Sequence, residues 1–331
     1  MLNAYSILIL KQVPETVDHL IVPVRTSFTH APWGDTFVMD DLTDGVHSKD
    51  DHFLKLSREK ATIETKSQII KRFKLETVKK IVDTFNMSTC MIFCRTNLDC
   101  DNLERYFIRL SGGGKHMGKR ESGRENVYSC VVVAGKRQQR ERRENLEAFR
   151  DGDVRFLICT DVAARGIDLS ELPFVIQMTL PDDPDQYYHR IGRVGRAGRM
   201  GLAIAIVADQ DNEKVWYHAN CKKKGAPCNQ TKLVKQRGCC IYFNEPSCLR
   251  GIEKKLGDSI RRIEGADLIL PEGIRIEDYG EIASKKKKQT TSARVKSLQP
   301  AVEELTLMEV DVQTLWLQSK EKYGKMNAKK K

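Results

Sequence analysis

Between Lys60 and Asp209 two apolar rhythms alternate along the chain. Continuous apolar runs of strand length stand at 90–94 (CMIFC), 128–133 (YSCVVV), 154–160 (VRFLICT), 174–180 (FVIQMTL) and 202–208 (LAIAIVA). Between them, residues 67–85 (SQIIKRFKLETVKKIVDTF), Asn97–Leu110, Gln138–Phe149 and a stretch near 184–193 repeat apolar positions at helical spacing. Strands that are apolar on both faces need cover on both faces, and helices between successive strands supply it. The pattern therefore predicts an α/β domain over residues 60–210, a doubly wound parallel sheet.

The flanks read differently. Val17–Val24 (VDHLIVPV) is a strand, and residues 1–59 as a whole read as an N-terminal strand and linker left from a truncated preceding domain. Residues 211–283 form a small Cys-containing α+β extension, with a strand at 239–243 (CCIYF) and a helix near 247–256. Residues 284–331 read as a basic linker, a terminal helix and a Lys tail, with Val302, Leu305, Val312, Leu315 and Trp316 marking the helix. The opening MLNAYSILILKQVPE has no basic residue before its brief apolar run and no small-residue cleavage site after it, so it predicts neither a signal peptide nor a membrane span.

Charge narrows the partners. With 331 residues, 56 Lys and Arg and 45 Asp and Glu, the net charge is +11, which favours nucleic acid or an anionic membrane face. No strongly amphipathic anchor supports the membrane. Ten cysteines, several inside apolar runs, fit buried reduced thiols in the nucleus and cytoplasm better than a secreted disulfide framework.

The densest chemistry lies in Tyr188–Arg199, YHRIGRVGRAGR, with arginines at 190, 193, 196 and 199 and glycines at 192, 195 and 198. Each three-residue helical step turns a side chain back by about 60°, so Arg193 and Arg196 can share a face while all four cannot. Paired guanidiniums suit a terminal phosphate, because each fork donates several hydrogen bonds and neutralises charge that develops in phosphoryl transfer. A solvated basic helix would not carry three glycines, each costing about 1 kcal/mol against Ala. The second segment, LICTDVAARGID at 157–168, ends a buried strand at Thr160 and places Asp161, Arg165, Gly166 and Asp168 at a strand's carboxyl end, where open α/β sheets bind ligands. Thr160 suits a helix N-cap equally well.

These two segments resemble motifs V and VI of the second RecA-like domain of DEAD-box ATP-dependent RNA helicases. MIFCRT at 91–96 is similar to motif IV, and Gln139-x-x-Arg142 to the family's Q-x-x-R element. The resemblance covers about residues 60–210, and flanking stretches such as VDHLIVPV and KVWYHANC look most like the subgroup called DEAD-box helicase one. It implies an ATP-dependent RNA helicase: a hydrolase that binds ATP with Mg²⁺, remodels RNA duplexes and works in RNA processing. Arg193 and Arg196 would be the arginine fingers, and Asp168 would hold the ATP ribose. His189 and Arg190 would join the ATP site and couple the two domains. Arg95, Thr96, Gln139, Arg142, Thr160, Arg165 and Gly166 would grip the RNA backbone without reading sequence. For the subgroup, the resemblance also implies association with the tRNA ligase complex.

The departures shape the expectation. The sequence contains neither Asp-Glu-Ala-Asp nor Ser-Ala-Thr, so the first RecA-like domain and its Mg²⁺ ligands are missing and the chain alone should not hydrolyse ATP. Gly113-Gly114-Lys115-His116-Met117-Gly118-Lys119-Arg120 fits the spacing of a phosphate loop but ends in Arg where Ser or Thr must ligate Mg²⁺, and it follows a helix; it reads as an insertion loop. The family's His-Gly-Asp before the Q-x-x-R element is replaced by Ala134-Gly135-Lys136. The alternative function is a non-catalytic RNA-binding scaffold. A separate zinc site would use His218, Cys221, Cys228 and Cys239, against free buried thiols as the other reading. Lys285–Lys288 would serve a nuclear-localisation signal, an RNA-binding tail or a solvated linker.

Overall fold

A computed structural model describes residues 13, 14, 16–26, 46, 47, 62–111, 126–164, 169, 172–195, 198–219, 238–263, 265, 267–281, 308, 309, 312–314 and 316, with the side chains of 217–219, 238 and 239 left aside. The chain divides into two compact units, Met1–Ile282 and Ala283–Lys331. The first unit holds β1 (Val17–Val24), α1 (Ile63–Thr84), β2 (Cys90–Cys94), α2 (Asn97–Leu110), β3 (Cys130–Val133), α3 (Gln139–Arg150), β4 (Phe156–Thr160), α4 (Asp161–Ala164), β5 (Phe174–Gln177), α5 (Pro184–Ile191) and β6 (Gly201–Ala208). It continues with β7 (Glu213–Ala219), β8 (Gly238–Phe243), α6 (Glu245–Leu256) and β9 (Arg261–Arg262).

Seven strands form one sheet in the order β3-β4-β2-β5-β6-β1-β9, and every pairing in it is parallel. Strands β2, β4, β5 and β6 are buried at every position, as their unbroken apolar runs require. Met91, Phe93, Leu157, Cys159, Val175, Ala203 and Ala205 point to one face, into a core shared with Phe149 of α3, Tyr187 and Ile191 of α5, and Leu249 and Ile252 of α6. The alternate residues point to the other face. There Phe107 of α2 packs on Phe156 with ring centroids 5.3 Å apart, and α1 lies against β1 and β6. The doubly wound α/β expectation holds.

Two boundaries are corrected. Strand β1 pairs with β6 over its whole length, from Val17 opposite Gly201 to Val24 opposite Ala208, so it is a strand of this sheet and not a remnant of another domain. The extension at 211–283 is fused to the same unit: β9 adds to β1, and α6 packs on α5 and β6. Strands β7 and β8 pair antiparallel beside α1. The described cysteines, 90, 94, 100, 130, 159, 240 and 248, form no disulfide. The GGKHMGKR loop, the basic run and most of the terminal helix lie outside the described residues.

The extension is held by charge as well as by apolar packing. The Lys74 ammonium on α1 is fully buried, 2.6 Å from Glu213 Oε2 on β7 and 2.8 Å from Glu245 Oε2 on α6. Glu245 also accepts from the N–H groups of Leu180 at 2.9 Å and Ala208 at 2.7 Å. Burial pulls Lys74 down, but the two carboxylates outweigh it and hold the ammonium above its usual range. Burial pushes the Glu245 carboxyl up; Glu213, though equally buried, is held down by Lys74 and Lys71.

Removing one partner of a buried ion pair strands the other charge, so Lys74→Met should lower the unfolding free energy by about 3–5 kcal/mol in urea titrations of the chain. Glu76 on α1 gives a pH signature. Burial raises its carboxyl from 4.5 to about 7, against the opposing Arg72 charge. Between those values the folded state binds more protons than the unfolded, so this group's contribution to stability falls as pH rises. Glu76→Gln should abolish that slope, matching the wild type at pH 4 and exceeding it at pH 8 by on the order of 2 kcal/mol.

Candidate functional site

Because the strands run parallel, the residues that follow them gather at one edge of the sheet. Arg95 and Thr96 follow β2, Thr160 ends β4 beside Cys94, and Gln139 and Arg142 lie on α3 after β3. These strands are neighbours in the order β3-β4-β2, so the five positions assigned to RNA come from adjacent strand ends. Thr96 caps α2 through a reciprocal box: its Oγ1 accepts from the Asp99 N–H at 3.1 Å, and Asp99 Oδ2 accepts from the Thr96 N–H at 3.0 Å. Gln139 opens α3 and is exposed; Arg142 is half-buried, and its Nε is buried without a partner.

Arg95 is more constrained than its motif suggested. Its guanidinium lies over the Phe243 ring, 4.3 Å from the centroid, and its Nη2 pairs with Asp182 at 3.0 and 3.2 Å. The side chain is 13% exposed, so a phosphate arriving there competes with Asp182. Thr160 is buried as the last residue of a core strand.

The arginine-rich segment splits into distinct roles. α5 starts at Asp183, whose side chain accepts from the Asp185 N–H at 2.9 Å, with Pro184 in the first turn, where its missing N–H costs nothing. Arg190, one residue before the end of α5, is 3% exposed. Its Nε and Nη2 each donate to Asp161 at 2.7 Å, and its Nη1 donates to the Thr179 carbonyl at 2.7 Å and to Gln177 Oε1 at 3.1 Å. Its guanidinium also lies 5.2 Å from the Phe93 ring centroid. This corrects the assignment of Arg190 to ATP: the side chain is spent bracing the carboxyl ends of β4, β2 and β5. His189 beside it is exposed.

Arg193 stands just past the end of α5, half-buried, with Nη2 3.5 Å from the carbonyl of Ala164, the last residue of α4. Its backbone is tied to Leu172, whose N–H donates to the Arg193 carbonyl at 3.4 Å. The Arg190–Asp161 fork and the Arg193–Ala164 contact thus bring the two sequence segments together at one strand end. Arg165, Gly166, Asp168 and Arg196 lie outside the described residues.

Gln177, Thr179, Asp182 and Phe243 were not singled out from sequence, and no local pattern marks them, because their partners lie far along the chain. For the zinc ligands, the antiparallel register sets His218 opposite Cys239, while Cys221 and Cys228 lie outside the described residues. Among the described residues no three metal-ligating side chains gather.

Comparison with known proteins adds a second line. The helicase conserved C-terminal domain family matches residues 62–198. The ATP-dependent RNA helicase Ddx1 of Drosophila melanogaster is 43% identical over 312 residues, covering 92% of this chain and 39% of that protein. DDX1 of Xenopus laevis is 42% identical over 311 residues, with the same shares of 92% and 39%. Ddx1 of Drosophila virilis is 36% identical over 329 residues, covering 92% of this chain and 74% of that relative. The chain thus spans well under half the length of the first two.

The bracing role of Arg190 is testable in the chain itself. Arg190→Met leaves Asp161, Gln177 and the Thr179 carbonyl without their donor and should cost about 3 kcal/mol in denaturant unfolding. Arg193→Ala, at a half-buried turn, should cost less than about 1 kcal/mol in the same assay.

Proposed function

The chain belongs to the DEAD-box RNA helicases, of which it carries the C-terminal helicase domain, and on that footing we propose that it is the second RecA-like half of an ATP-dependent RNA helicase. The observation that carries this reading is the junction of α4 and α5. Arg190 is consumed by Asp161, while Arg193 is left half-buried at the Ala164 end of the same site. A guanidinium placed there can meet a phosphoryl group presented by a second domain, as the arginine-finger role requires.

In this reading ATP and RNA draw a first RecA-like domain onto the carboxyl edge of the sheet. Arg193 and Arg196 then stabilise charge as it spreads over the transferring phosphoryl oxygens, and Asp168 holds the ribose. Mg²⁺ belongs with the ATP phosphates and the other domain; among the described residues no cluster here would bind it. RNA lies across the ends of β3, β4 and β2, where the capped start of α2 and the exposed Gln139 offer donors to phosphates. The proposal extends to an association with the tRNA ligase complex and to residence in nucleus and cytoplasm. It also holds that this chain alone hydrolyses no ATP.

The test supplies a first RecA-like domain of a DEAD-box helicase in trans and measures RNA-stimulated ATP hydrolysis. The mixture should turn over ATP where either half alone does not, and Arg193→Ala should lower kcat by about 10³. No stimulated turnover by the wild-type mixture would leave a non-catalytic RNA-binding scaffold as the reading. RNA binding by the chain alone should weaken steeply between 50 and 200 mM salt, as phosphate contacts do.

A further inference from the structure

The chain that follows α5 and carries Arg193 is clamped, at its described residues, by two segments from opposite ends of the fold. On one side stands Thr16, just before β1. Its Oγ1 donates to the Gly195 carbonyl at 2.5 Å, and its own carbonyl accepts from the Gly201 N–H at 2.9 Å. Gly195 has φ +70°, and a Cβ there would collide with Val17 Cγ2. The backbone two residues after Arg193 is therefore held both by a hydrogen bond and by an approach only glycine permits.

On the other side lies a strap at the far end of the extension. Arg199 Nη1 donates to the Gly280 carbonyl at 2.7 Å. The Met200 N–H donates to the Glu281 carbonyl and the Gly280 N–H to the Met200 carbonyl, each at 2.9 Å. The strap is anchored in turn by Tyr279. Its hydroxyl donates to Asp18 Oδ2 on β1 at 2.9 Å, and its ring meets Phe174 at 6.0 Å in an edge-on contact. Residues 16–18 and 279–281 thus grip one turn and each other, although more than 260 residues separate them.

We infer that Thr16 and the Tyr279–Glu281 strap are positioning elements for phosphoryl transfer: they fix the backbone at Gly195 and at Arg199–Gly201 so that Arg193 meets charge where it develops. The inference rests on the reading under Proposed function. Neither Thr16 nor Gly280 touches ATP; each acts through the backbone of the turn. An arginine that works in the transition state contributes to kcat rather than to substrate binding. A small displacement of such a group is costly, because the stabilisation depends on a preset geometry. The fourth arginine of the segment also gains an account: Arg199 is a tether to the strap, not a phosphate ligand.

The test uses the same mixture of this chain with a first RecA-like domain. Thr16→Val keeps the side-chain shape but removes the donor to Gly195, and should lower kcat about tenfold with KM for ATP changed less than about twofold. Thr16→Ser restores the donor and should restore kcat. Arg199→Met releases the strap and should give the same kcat-selective loss. Hydrogen exchange at the amides of 194–201 in the chain alone should quicken in Thr16→Val and Arg199→Met but not in Thr16→Ser. An active wild-type mixture in which both variants keep wild-type kcat, or in which Thr16→Ser fails to rescue, overturns the inference alone. A wild-type mixture without activity overturns the reading beneath it and this inference together. If Thr16→Val does not fold, Arg199→Met and its exchange rates decide by the same criteria.

Discussion

Lys74 holds its charge at zero exposure, and much of the first unit is arranged around that fact. An isolated ammonium moved out of water would cost many kcal/mol, so it is tolerated only because Glu213 and Glu245 close on it from two further elements. Glu245 is itself fixed by the N–H groups of Leu180 and Ala208, which sit just past β5 and at the end of β6. One charge thus ties α1, β7, α6 and two central strands together. The same face of α1 continues the ladder: Glu64 pairs with Lys214 and Tyr242, Ser67 accepts the Lys214 N–H, and Lys71 bridges Asp99 and Glu213. The extension cannot leave the sheet without exposing or orphaning these groups, which is why it belongs to the same compact unit.

That coupling reaches the functional edge. Phe243 of β8 lies under Arg95, and the strap after α6 meets the arginine turn. The arginines accordingly divide by environment rather than by motif. Arg190 is a buried brace, Arg199 a tether, Arg95 a stacked and paired guanidinium, and Arg193 a half-buried donor at the strand end. A guanidinium carries five donors in a rigid fork, so the number already satisfied inside the fold decides how many remain for a phosphate.

The alternation of strands and helices was legible in the sequence because it depends on local hydrophobic periodicity. CMIFC, FLICT, FVIQ and LAIAIVA each became buried strands, whereas helical spacing does not govern the arginines of YHRIGRVGRAGR beyond Arg190, because α5 ends at Ile191 and Arg193 follows it in a turn. The assignment of β1 failed because pairing with β6, 184 residues further along the chain, leaves no local trace. β7 was missed because EKVWYHA mixes charged and apolar positions, and its charged Glu213 is buried against α1 rather than solvated.

The sequence by itself determined the parallel α/β plan, the order of the motifs and the family, since each is written in neighbouring residues and their spacing. Only the tertiary structure decided which charged side chains are buried and spent. Lys74 and Lys79 look alike in a helical pattern, yet one is enclosed by two carboxylates and the other pairs with Asp83 at the surface. The same holds for Arg190 and Arg193. The energy of an ionised group depends on its solvation and on partners brought from remote parts of the chain, and neither exists until the chain has folded.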